Sequence, residues 1–254
     1  MRTEILYEDK SIIVVRKPAG LAVQSAGIGQ PDVVSELKSY LVKLPGPGRP
    51  GKGEPYLGIV HRLDQPVEGL LVFAKDKKAA AALSKQLTEG ALNKHYYAVL
   101  CGYPDCPEGD LVDYLRKEGN MAVAVTGREQ EFADAKIAAL HYRILEQIKA
   151  PAPLALADVT IGTGRFHQIR VQFAHAGFPL FGDTKYGTAA LNEAMPAQKY
   201  RGVALCAYSL ELVHPVSGKK MGFRVVPKNP AFAGFAMEEL KKLTENETGI
   251  SKRG

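Results

Sequence analysis

The chain has 254 residues, 46% hydrophobic and 24% charged, the proportions of an ordinary globular protein with enough apolar material for a sizeable core. Its 33 Lys and Arg against 27 Asp and Glu leave a formal charge of +6, which suits a polyanionic partner and is also met in basic enzymes that touch no nucleic acid. Three cysteines without a CxxC pair argue against a disulfide framework or a structural zinc site, and no apolar run reaches the roughly 18 residues of a membrane span, so a cytoplasmic protein with reduced thiols, no membrane and no metal is expected.

Ile12 to Val15 reads as a strand that stops at Lys17-Pro18-Ala19-Gly20, where Pro and Gly turn the chain. Asp32 to Leu44 has helical spacing, with Val33, Val34, Leu37, Tyr40, Leu41 and Leu44 on one side and Asp32 as candidate N-cap. Residues 44–55, LPGPGRPGKGEP, are too rich in Pro and Gly for regular structure. They read as a basic loop carrying Arg49 and Lys52, either a surface connection or a phosphate contact. Gly69 to Ala74 reads as a strand, Lys77 to Leu87 as a helix and Lys94 to Leu100 as a strand.

The stretch to about Glu131 is poorly patterned, with Gly109, Gly119 and Gly127 suggesting hairpins. Strands follow at Ala138 to Gln147 and Ala155 to Ile161, a basic helix at Arg165 to Ala176, then strands at Ala204 to Val213 and Lys219 to Val226. Phe232 to Leu243 reads as a C-terminal helix with a solvated tail. No repeat is visible, and strands and helices interleave without a regular βαβ period. The expectation is α+β: a single domain on a mixed, mainly antiparallel sheet flanked by helices, with loops long enough to divide the sheet into two lobes with a central cleft.

The segment "IVHRLDQPVEGLLVFAK" places a carboxylate and a guanidinium two residues apart at a turn between apolar runs. Asp64 could be a turn-former, a metal ligand with His61, half of an acid–base pair with Glu68, or a nucleophile. His61 and Asp64 supply only two ligands, and nothing in the spacing makes the pair with Glu68 specific. A second stretch, "GTGRFHQIRVQFAHAGFPLFGDTKYG", sets Arg165, His167, Gln168 and Arg170 at the mouth of a helix, where backbone N–H groups favour anions. The chain shows no Walker A loop, and Gly27-x-Gly29 lacks the third glycine of a dinucleotide fingerprint.

These segments together resemble the RluA-type RNA pseudouridine synthases. The resemblance is carried by His61-Arg62-Leu63-Asp64 through Gly69 to Phe73-Ala74-Lys75, by the strand from Lys94 to Gly102 with Tyr96 at its aromatic position, and by Gly164 to Gly187 with its GRFHQIR and GDTKYG motifs. The opening Tyr7-Glu8-Asp9 and Val14-Val15-Arg16-Lys17-Pro18-Ala19-Gly20 add to it. Two departures stand out: Val67-Glu68 replaces the family's Thr-Ser, adding a negative charge near where a nucleotide should sit, and Phe166 replaces the Thr of GRTHQIR. The chain starts directly with the catalytic region, so no S4-type RNA-binding domain is expected ahead of it.

The resemblance implies a pseudouridine synthase fold, with a catalytic domain over 1–235 and a helix and tail over 236–254. The implied reaction needs no cofactor: uridine in structured ribosomal or transfer RNA is isomerised by breaking the bond from N1 to C1′, rotating the uracil and joining C5 to C1′. Asp64 would be the catalytic carboxylate, Arg170 the cation that favours its charged form, and Tyr96 the ring that stacks on the uracil and helps move the C5 proton. Arg62 would enter the space vacated by the flipped base, while His61, Arg165, His167 and Gln168 are candidate substrate contacts. Asp183, Lys185 and Tyr186 read as structural. The rival readings are a catalytically inactive RNA-binding module and a hydrolase, the latter lacking a second acid–base group. A monomer is expected.

Overall fold

The computed structural model describes residues 1–25, 27, 29–43, 53–126, 134–149, 152–188 and 202–237. Its chain forms two compact units, Met1–Lys94 with Ala207–Val225, and His95–Cys206 with Val226–Gly254.

The first unit holds β1 (Glu4–Glu8), β2 (Ile12–Lys17), α1 (Val33–Lys43), β3 (Gly58–Ile59), β4 (Glu68–Ala74) and α2 (Lys77–Thr88). It also takes in most of β10 (Leu205–Val213) and β11 (Lys220–Arg224). Strands run in the order β1-β2-β4-β10, with β11 on β10 and β3 on β4. The pairs β1–β2, β2–β4, β3–β4 and β10–β11 are antiparallel. Every residue of β2 (IIVVRK) and β4 (EGLLVFA) is buried, as expected for continuous apolar runs covered on both faces. Ile12, Ile13, Leu70, Leu71 and Phe73 form the centre of this core, each contributing about 1.5–3 kcal/mol by leaving water.

Both helices of this unit start on aspartates. Asp32 Oδ1 accepts the Ser35 N–H at 2.6 Å, confirming it as cap of α1, and Asp76 Oδ1 accepts the Ala79 N–H at 2.8 Å at the start of α2. Gly69 is demanded by space as well as conformation. Its φ is 130°, and a Cβ there would lie 2.5 Å from both the backbone N and O of Ala207 on β10.

The second unit holds β5 (Asn93–Cys101, from His95 on), β6 (Glu108–Glu118), β7 (Met121–Val125), β8 (Lys136–Ile148), β9 (Leu154–Ile161) and α3 (Gln168–His175). The strand order is β5-β9-β8-β6-β7, and each neighbouring pair is antiparallel. Gly119 at φ 57° leads the two-residue loop between Glu118 and Met121, the position that a II′ hairpin reserves for glycine. Gly109, expected at a turn, lies inside β6 instead. Helix α3 packs on this sheet through Val171, which joins Leu115, Ala122 and Ala138. Gln172, fully buried, binds the Leu111 and Ala138 carbonyls and the Asp113 carboxylate through Nε2.

Two expectations need correction. Helix α3 begins at Gln168, not Arg165, because His167 takes a left-handed conformation (φ 54°, ψ 23°) that a continuing helix cannot contain. Pro230–Gly234 forms a short 3-10 turn capped by Asn229, and Phe235 is extended where helix was expected. The expected helix beyond residue 237, Leu44 and the loop cations Arg49 and Lys52 lie outside the described residues. Among the described residues no helix is long and apolar enough to cross a membrane, and no group of three His, Cys, Asp or Glu is arranged to hold a metal ion.

Candidate active site

The turn before β4 alternates inward and outward side chains: His61 and Leu63 are buried, Arg62 is exposed and Asp64 is partly exposed. The Val67 N–H closes the turn on the Asp64 carbonyl at 3.1 Å. Arg62 is thus an exposed residue of this turn and Asp64 a partly exposed one, on either side of the buried Leu63.

The support of this turn contains a lysine to which the sequence alone assigns no role. Lys17 is completely buried at the end of β2, and its Nζ donates to the carbonyls of Leu21 (2.8 Å), Pro18 (3.0 Å) and Gln65 (3.0 Å). One ammonium therefore ties the KPAG turn to the residue that follows Asp64. The Gly20 N–H donating to the Gln65 carbonyl at 2.8 Å makes a second tie. Burial pushes Lys17 down to about 7 from its usual value, while the negative charges of Asp64 and Glu68 pull it back upward. The available signal was the KPAG motif itself, a lysine ending a strand buried throughout.

His61 is buried, and its Nε2 accepts the Val72 N–H of β4 at 3.3 Å. Burial, with the Lys94 charge adding to it, holds the ring neutral and pushes its pKa down to about 3. Its Nδ1 is buried without a hydrogen-bond partner among the described residues. The expected RNA contact gains no support from this position; the ring supports the turn from beneath.

Glu68 also needs correction. It does not add charge to an open site: the residue is 3% exposed, and its Oε2 lies 3.2 Å from Arg16 NH2 on the neighbouring strand. The desolvation cost of a buried carboxylate is met by pairing with an equally buried guanidinium. Val67, 1% exposed, fills the adjoining space as an apolar side chain.

In the second unit, Tyr96 is buried on β5 opposite Val159 of β9. Arg170, buried in the first turn of α3, is held by Asp183 through Nε to Oδ2 at 2.7 Å and NH2 to Oδ1 at 2.8 Å, a bidentate fork. Asp183 Oδ1 also accepts the N–H groups of Lys185 and Tyr186, so the GDTKYG turn positions Arg170, in keeping with its structural reading. The Tyr186 ring lies under the Arg170 guanidinium at 5.1 Å. Gln168, expected to touch substrate, is buried. Its Oε1 accepts the Thr163 hydroxyl (2.8 Å) and the Arg165 N–H (2.9 Å), and its Nε2 donates to the Ala139 carbonyl (3.0 Å). Arg165 donates from Nε to the Ile137 carbonyl at 2.9 Å. Among the expected residues, His61, Arg62 and Asp64 are grouped in the first unit, and Tyr96, Arg165, His167, Gln168 and Arg170 fall in the second.

The first unit thus offers an aspartate on a turn backed by the buried Lys17, and the second offers an arginine fixed by a carboxylate at a helix start. The family described as RNA pseudouridylate synthase matches residues 11–175. The chain belongs to that family. It is 35% identical over 227 residues to a ribosomal large subunit pseudouridine synthase D of Zymomonas mobilis, covering 87% of this chain and 68% of the relative. It is 38% identical over 226 residues to an RNA pseudouridine synthase of Synechocystis, covering 85% and 63%. With the synthase D of Escherichia coli K12 it shares 36% over 232 residues, covering 86% and 65%. The chain thus spans about two thirds of the length of the curated relatives it matches. Among solved structures, human RNA pseudouridylate synthase domain containing 1 superposes with a TM-score of 0.71 at 19% identity, covering 96% of this chain and 94% of that one. Human RNA pseudouridylate synthase domain containing 4 gives 0.68 at 23%, covering 94% and 93%. At such identities these two show the shared fold.

Proposed function

We propose that this chain isomerises uridine to pseudouridine in structured RNA, with residues 1–235 acting as one catalytic domain. The observation that carries the reading is Asp64 itself, a partly exposed aspartate on a turn fixed from below by Lys17 and His61, in a chain of this family. Asp64 attacks the uracil ring or the ribose, or stabilises the cationic character of the sugar as the bond from N1 to C1′ breaks. The released uracil turns within the site, C5 joins C1′, any bond that Asp64 has made to the ring or the ribose is broken so that the carboxylate is regenerated, the C5 proton leaves and N1 gains one. Atoms balance within the nucleotide, and no electrons or phosphates are transferred.

Arg170, pre-oriented by Asp183, supplies positive charge to the reacting group, and Tyr96 stacks on the base and assists the proton transfer. Arg62, exposed beside Asp64, fills the gap left by the flipped uridine. Arg165 and His167 contact the RNA backbone nearby. The relatives' names support large-subunit ribosomal RNA as substrate; transfer RNA is the second candidate. The protein is read as a cytoplasmic monomer.

The test is to incubate the purified protein with bulk RNA from cells that lack it and to map pseudouridines position by position. New pseudouridine at defined positions supports the reading. RNA binding without conversion would assign the chain to the inactive binding modules.

A further inference from the structure

Phe166, which stands where the related motif usually has Thr, is 41% exposed although it is a large apolar side chain. A single exposed apolar residue is ordinary. What surrounds this one is not. Its ring centroid lies 3.8 Å from that of the His167 ring at an interplanar angle of 21°, so the imidazole stacks on one face. His167 is itself fixed. Its Nδ1 is 2.7 Å from Tyr186 Oη, which accepts the Ala122 N–H at 2.8 Å, and the two rings meet edge to face at 5.6 Å. The left-handed backbone of His167 turns its ring under Phe166, an uncommon conformation for a residue with a side chain.

The other face of Phe166 carries a cation. Lys117 Nζ lies 5.0 Å from the ring centroid, and a stack at 3.8 Å leaves it no room on the His167 side. Lys117 is exposed, on β6 just before the hairpin, and Arg165 neighbours the ring in sequence. The result is an aromatic plate held from behind, with an ammonium on its open face, four residues from Arg170.

We propose that Phe166 is a stacking platform for an unpaired nucleobase of the RNA substrate, and that Lys117 moves from the ring to a neighbouring phosphate when the base arrives. This rests on the RNA reading above. Magnitudes favour the exchange. A cation over an exposed ring is worth roughly two- to fivefold in an equilibrium. A base on an aromatic ring is worth roughly five- to 150-fold, and the displaced ammonium regains a partner in the phosphate. The backing by His167 means that little ordering cost remains to be met on binding.

The test measures binding of the full chain to a fluorescein-labelled oligouridylate strand and to a strand of the same length with abasic riboses. Phe166→Thr should weaken oligouridylate binding by at least fivefold, leave the abasic strand unaffected and leave the log–log salt slope unchanged. Phe166→Trp should bind oligouridylate within about twofold of wild type or tighter, because a larger ring keeps the platform. Lys117→Ala should flatten the salt slope by about 0.7, one phosphate on a single strand. Wild-type affinity for oligouridylate in Phe166→Thr, with the protein's melting temperature unchanged, overturns the platform. If the wild type binds no RNA strand at all, the RNA reading fails, an outcome distinct from the first.

Discussion

Arg16 and Glu68 form a buried ion pair, NH2 to Oε2 at 3.2 Å, between the last residues of β2 and the first residue of β4. The strand that leaves the Asp64 turn is thereby locked to the strand that ends at Lys17. Glu68 carries a charge that Arg16 holds inside the protein. Glu68→Leu should therefore cost about 3 kcal/mol of stability by removing the carboxylate beside a buried guanidinium, while Arg16→Met with Glu68→Leu should recover most of it. Urea denaturation of the single and double variants gives the coupling; additive losses would show that the pair is not a unit.

His61 makes stability depend on pH. Its pKa is about 3 in the folded protein against 6.5 for a free histidine, so between those values the unfolded chain binds a proton that the folded one refuses. Stability should fall as pH drops through that window, by about 2 kcal/mol from about pH 7.5 to about pH 5. His61→Asn should start lower, because the Val72 N–H loses its acceptor, and should fall less steeply over the same range. Equal slopes in both proteins would remove His61 from the account.

Lys17 is a positioning residue. Lys17→Met keeps the apolar stem and removes the ammonium from three carbonyls, among them that of Gln65 beside Asp64. The turnover rate should fall at least tenfold with KM within a few-fold, measured below the variant's unfolding transition. A rise in KM alone would point to RNA binding instead.

The central strands are legible because Ile12 to Val15 and Leu70 to Ala74 are unbroken apolar runs, α1 because Asp32 precedes helical spacing, and α2 because its residues are strong helix formers. Asp64 and Arg62 stood out as a charged pair where a turn needs neither. The inward turn of Glu68 was not legible: it depends on the register that brings β4 beside Arg16, which no local pattern specifies. Lys17 was missed because a lysine at a strand end ordinarily reaches water along its stem, and only three converging carbonyls keep it inside. Helix α3 starts three residues later than its spacing predicts, because helical spacing carries no sign of the left-handed His167.

The most direct measurement of the central claim is single-turnover conversion of uridine by Asp64→Asn, paired with its RNA affinity, on the RNA that mapping identifies. The substitution keeps the shape of the side chain on the same turn and removes only its charge and nucleophilicity. Conversion should fall to background while RNA affinity stays within a few-fold of wild type. Measurable conversion by Asp64→Asn would contradict the assignment of the carboxylate to the chemistry.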